Sequence, residues 1–141
     1  MSDPVSPEAL LGLLRAAGFG AHVEGGGVIV GYTPRGADDS AELALQVSAT
    51  SDGVRVAASF GVDLDEPGRI VDLLLLANDL NGALRVARAH VEPETGGGPA
   101  AATLHVTARL PHEALTAGTL ASLVSAAGED VHETLRRLVG A

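Results

Sequence analysis

Five histidines, His22, His90, His105, His112 and His132, are the side chains of this chain best suited to proton transfer or metal ligation near neutral pH. Cysteine is absent, which removes thiolate nucleophiles, thiolate metal ligands and disulfides. Nucleophilic catalysis needs a hydroxyl or thiol beside a base that a third group holds. The histidines have no recognised catalytic spacing and no Gly-x-Ser-x-Gly occurs. The sequence therefore nominates no catalytic residue, and it reads as a non-enzyme.

Two histidines do gain a partner from strand periodicity. Thr103–Leu110 alternates, with Leu104, Val106, Ala108 and Leu110 inward and His105, Thr107 and Arg109 outward. Leu84–Val91 reads as the preceding strand, with Arg88 and His90 outward beside Leu84 and Val86. A hairpin folded about its middle brings His90 opposite His105, close enough in principle to share an ion. The expected outward neighbours are arginines, which oppose a dication. No metal ligand set and no cofactor site is assigned. Arg88, His90, His105 and Arg109 remain as a local basic patch, the one candidate interaction face, suited to an acidic partner segment or to an acidic loop of a second copy.

Other polar clusters have simpler explanations. Gly25-Gly26-Gly27 lacks the Lys-Ser/Thr of a phosphate loop and reads as a tight turn. Asp38-Asp39 reads as solvated loop charge. Asn78 and Asn81, at the end of IVDLLLLANDLN, read as helix-terminating residues together with Gly82.

The elements that must position these groups follow from pattern. Ser6-Pro7-Glu8 starts a helix with the stripe Leu10, Leu11, Leu14 and Phe19, and Gly18 stops it. Ala21–Val23 and Val28–Tyr32 form a hairpin around the glycines. Glu42–Thr50 and Val54–Phe60 alternate cleanly around Ser51-Asp52-Gly53, an antiparallel pair with one buried face. Ile70–Asn81 is apolar nearly all round, which predicts a central helix covered on most sides, with Asp63, Asp65, Glu66 and Pro67 at its start. Glu92–Ala101, with Gly96-Gly97-Gly98, is a flexible loop. Thr116 caps a final helix to about Val139, striped by Leu120, Leu123, Val124, Ala127, Val131, Leu135 and Leu138 and bent at Gly128. Strands run together rather than alternating with helices. The class is α+β, a single domain over 1–141 with one antiparallel sheet of five to six strands and three helices.

The 141 residues suit one domain, which buries about 68–70% of its unfolded surface. The net charge is −9, and all nine basic residues are arginine, a composition that points to a high-GC bacterial genome. Such an acidic surface repels phosphate backbones and anionic headgroups, so neither nucleic acid nor membrane is an expected partner. No stretch has the pattern of a signal peptide or the length of a membrane span, and the expected location is cytoplasmic. Aromatic residues make up only 2%, so stacking platforms for bases are lacking.

The capped first helix, the strand meander, LLLLANDLN ending in Asn78 and Asn81, the hairpin and the helix after Leu110-Pro111 together resemble the YbjN-like proteins. Their fold is that of type III secretion chaperones, the Tir chaperone-like fold. The resemblance spans nearly the whole chain and implies a small acidic protein, often a homodimer, without catalytic residues. The expected function is a protein-binding module, chaperone-like or regulatory, with a small-molecule or metal-binding sensor as the alternative.

Overall fold

The computed structural model describes residues 5–64, 68–94 and 101–140, and Asp39 by its backbone alone. Ser6 opens the chain's first helix as its residue type requires. Its Oγ accepts the Ala9 amide at 3.1 Å, Pro7 fills the first turn, and α1 runs Pro7–Ala16. Four strands follow, β1 (Ala21–Glu24), β2 (Gly27–Tyr32), β3 (Leu43–Ala49) and β4 (Gly53–Asp63). Then come α2 (Arg69–Ala83), β5 (Arg88–Pro93), β6 (Ala101–Pro111) and α3 (Ala117–Gly140). The strands form one sheet in the order β1-β2-β3-β4-β6-β5, each neighbour antiparallel. The fold is α+β, with three helices and a single antiparallel sheet.

Alternation decides which face is covered. Val28, Val30, Leu45, Val47, Val54, Val56, Leu104, Val106 and Ala108 lie on one face and are buried under Leu10 and Leu14 of α1 and Leu120, Val124, Ala127 and Val131 of α3. Each fully buried leucine of this set contributes about 2 kcal/mol. The opposite face carries the exposed residues Gln46, Ser59, Arg88, His90, Glu92 and Arg109. One face makes the core; the other meets solvent.

The helix of leucines departs from expectation. Leu73, Ala77 and Leu80 are buried, yet Val71, Leu74 and Leu75 are 53%, 52% and 58% exposed. Helical spacing separates these two stripes, and α2 lies at the end of the sheet against β5, where only one side has anything to meet. A run of leucines thus produces a flanking helix, not a central one. The helix begins after Gly68, in a left-handed conformation (φ 87°) and with no side-chain cap, and the acidic residue in its first turn is Asp72. Asp63 ends β4, and Asp65, Glu66 and Pro67 lie outside the described residues. Gly96–Gly98 also lie outside them.

Two further corrections concern single residues. Asn81 does not end α2, which continues to Ala83. Its Oδ1 accepts the Ala89 amide at 2.7 Å and its Nδ2 donates to the Ala89 carbonyl at 2.8 Å. The side chain therefore pairs with β5 as a neighbouring strand would. Gly128 leaves α3 continuous and lets the Tyr32 ring lie on the helix, since a Cβ there would stand 2.2 Å from Tyr32 Cδ1.

The strand expected over Leu84–Val91 is shortened at its start, and Asp130 is the reason. This carboxylate is 3% exposed and accepts the amides of Arg85, Val86 and Ala87 at 2.9, 2.9 and 2.8 Å. Three successive amides drawn to one carboxylate cannot join a ladder. Leu84 is consequently buried, away from the outward face it was expected to share.

Candidate functional site

The open face of β4, β6 and β5 gathers Arg55, Arg88 and Arg109, three of the arginines that form no ion pair among the described residues. Register places Arg55 directly opposite Arg109, and Arg88 opposite Thr107, two residues from Arg109 on β6. Directly opposed residues have Cβ atoms about 5 Å apart and diagonal ones about 7–8 Å. The three arginines line one shallow pocket of about 490 Å³ with Val86, His90 and Thr107. Among the described residues no carboxylate lines it. Among the described residues, the arginine–carboxylate ion pairs are those of Arg136 and Arg137 with Glu133, both at 2.7 Å. Arg55 also keeps a buried Nε without a hydrogen-bond partner.

His90 and His105 are opposite each other, as the hairpin register requires, with ring centroids 4.8 Å apart and planes 25° from parallel. Stacked rings direct their nitrogen lone pairs outward in separate planes, so they do not converge on one ion. Among the described residues no three His, Cys, Asp or Glu side chains are grouped to hold a metal. His105 Nε2 lies 2.9 Å from the Glu92 carboxylate and Nδ1 lies 2.8 Å from Ser59 Oγ. In the neutral ring Nε2–H donates to Glu92 and Ser59 donates to Nδ1. That is the order hydroxyl, base, carboxylate that acyl transfer uses. Ser59 stands on an exposed strand face, where the backbone amides pair with β6, so no converging N–H donors await an oxyanion.

The remaining histidines are dispersed. His22 is exposed on β1, 3.4 Å from Glu24; His112 occupies the short 3-10 turn after β6; His132 is half-buried on α3.

A second concave region of about 760 Å³ runs beside α3 and includes Tyr32, Arg35, Arg85 and Glu129. Tyr32 donates its hydroxyl to the Glu129 carboxylate, which also accepts the Arg35 amide at 3.1 Å. Burial, and then the neighbouring carboxylate, push the Tyr32 hydroxyl up to about 12. Burial alone would raise Glu129, but the bonds from Tyr32 and the Arg35 amide outweigh it and hold the carboxyl below its ordinary value. The pair is a latch between the end of β2 and α3, with the phenol held protonated.

The sequence reading placed Arg88, His90, His105 and Arg109 on one face, and the structure brings them together there. It did not include Arg55, Ser59 and Glu92. The signal for Arg55 and Ser59 was present, because the Val54–Phe60 alternation turns both outward. What the pattern of one strand lacks is the lateral order that seats β4 beside β6. Asp130 had no local signal at all, since its partners are 43 to 45 residues away in the chain.

No family model matches the chain, and no curated protein matches it in sequence. In three dimensions it is similar to the crystal structure of YbjN from E. coli, described as a candidate transcription regulator. The TM-score is 0.67 at 12% identity, with 92% of this chain and 88% of that chain covered. The fold is YbjN-like. No helix among the described residues is long and apolar enough to cross a membrane.

Proposed function

We propose that this chain is a non-enzymatic protein-binding module, chaperone-like or regulatory in role, that receives an acidic segment of its partner on the open face of the sheet. The observation that carries this reading is the convergence of Arg55, Arg88 and Arg109 on one pocket that no carboxylate lines among the described residues, in a chain of net charge −9. Like charges directly opposed on a sheet destabilise it. An acidic segment would relieve that repulsion and gain charge-assisted hydrogen bonds. The similarity to YbjN, described as a candidate regulator, fits a regulatory role.

Capture on the face is favoured over strand addition at the β5 edge. Asn81 already occupies the outward amide and carbonyl of Ala89, and Pro93 has no amide to offer. The test is affinity capture from the host at low salt, with wild type beside Arg88→Glu/Arg109→Glu. Both arginines are exposed, so the variant should melt like wild type and lose the partner. A partner retained in full by the folded variant would remove the patch from the account.

We also propose a homodimer. The apolar stripes of α1 and α3 are used in the core, so the exposed apolar stripe proposed for self-association is Val71, Leu74 and Leu75, spaced i, i+3 and i+4 on α2. Light scattering of wild type at micromolar concentration should give twice the chain mass, and Leu74→Glu/Leu75→Glu should give one chain. A monomeric wild type would end this proposal.

A further inference from the structure

We infer that the pocket between β4, β6 and β5 is a binding site for a phosphomonoester dianion. This deepens the reading of that face as an anion-recognition surface, on which it rests. Three arginines are placed there by strand register rather than by loops: Arg55 and Arg109 are directly opposite, Arg88 stands diagonal to Arg109, and all three line the pocket. A carboxylate carries one charge and two oxygens, and a single arginine fork satisfies both. It would leave two of the three cations uncompensated. A phosphomonoester carries about two charges at neutral pH and three terminal oxygens, which match a set of three forks. Thr107 adds a hydroxyl in the same pocket, His90 adds a ring nitrogen at its rim, and Val86 supplies an apolar wall for the group that bears the phosphate. Arg55 Nε, buried without a partner, remains available to an acceptor if the side chain shifts. A nucleic-acid backbone fits less well, because its phosphodiesters carry one charge each and the remaining surface is acidic.

The dianion could be a phosphorylated side chain of the partner or a small phosphorylated molecule, and the experiment separates them. Thermal denaturation of the full chain in sodium phosphate is compared with sodium chloride at equal ionic strength and pH 7.5. Phosphate at ten times its Kd should raise the midpoint by roughly 4 °C. Arg88→Gln/Arg109→Gln should fold and lose that rise. No excess over chloride, or a rise kept by the variant, would overturn the inference.

Titration calorimetry then compares a glutamate-rich peptide containing phosphoserine, the same peptide unphosphorylated, and glycerol 3-phosphate. At least tenfold tighter binding of the phosphopeptide than of both others assigns the site to a modified partner. Glycerol 3-phosphate as tight as the phosphopeptide, with the plain peptide weaker, assigns it to a small molecule. Equal binding of the two peptides overturns the phosphate inference and leaves the acidic-segment reading standing. Binding of none overturns both.

Discussion

Gly128 shows how one contact outweighs local propensity. Alanine would gain about 1 kcal/mol within a helix, yet its Cβ would stand 2.2 Å from Tyr32 Cδ1. Gly128→Ala should therefore lower stability by about 1–3 kcal/mol despite the better helix former. Thermal melting decides, and a raised midpoint would mean that Tyr32 does not pack there. The Tyr32–Glu129 latch makes a second prediction, in pH. Glu129 is held below its unfolded value, so its contribution is present above the ordinary carboxylate range and is lost as pH falls through the folded value. Glu129→Gln should flatten the loss of stability between about pH 5 and 3. Tyr32 has the opposite sign: its contribution is full below about 10 and is lost as pH rises through about 12. An acid limb identical in wild type and Glu129→Gln would show that the latch does not couple to folding.

Elements obey pattern where partners are near in sequence and depart from it where they are far. The β3–β4 pair was legible because alternation and an intervening turn suffice to set it. The His90–His105 register was legible for the same reason, both residues belonging to one hairpin. The placement of α2 was not, because a leucine run reports that a helix is apolar and not how many neighbours it has. Asn81 was read as a cap since asparagine commonly ends helices, while its true partner, Ala89, belongs to the next strand. The site was half legible: outwardness follows from alternation, and convergence needs the lateral order β4-β6-β5. Asn81→Ala tests the element-scale account. It should cost about 1–2 kcal/mol through two lost hydrogen bonds and expose the β5 edge to pairing with other chains. Urea denaturation measures the cost, and concentration-dependent scattering measures the edge. A variant equal to wild type in both would deny Asn81 its role.

The two surfaces proposed for association, an arginine-lined sheet face and the apolar side of α2, stand at opposite ends of the polarity scale. Cationic recognition on an acidic protein has a clear physical signature. The pocket attracts at close range while the net charge of −9 repels the same acidic ligand at a distance. Salt should therefore speed the approach, by screening that repulsion, while it weakens the contact. The most direct measurement of the central claim is fluorescence anisotropy of a labelled glutamate-rich peptide, titrated with wild type and with Arg88→Gln/Arg109→Gln. At about 50 mM salt wild type should bind and the folded variant should bind at least tenfold more weakly, with the wild-type affinity falling steeply by 300 mM as exposed charge contacts are screened. Equal affinity of the two proteins, or no binding by wild type at low salt, would contradict recognition through this face.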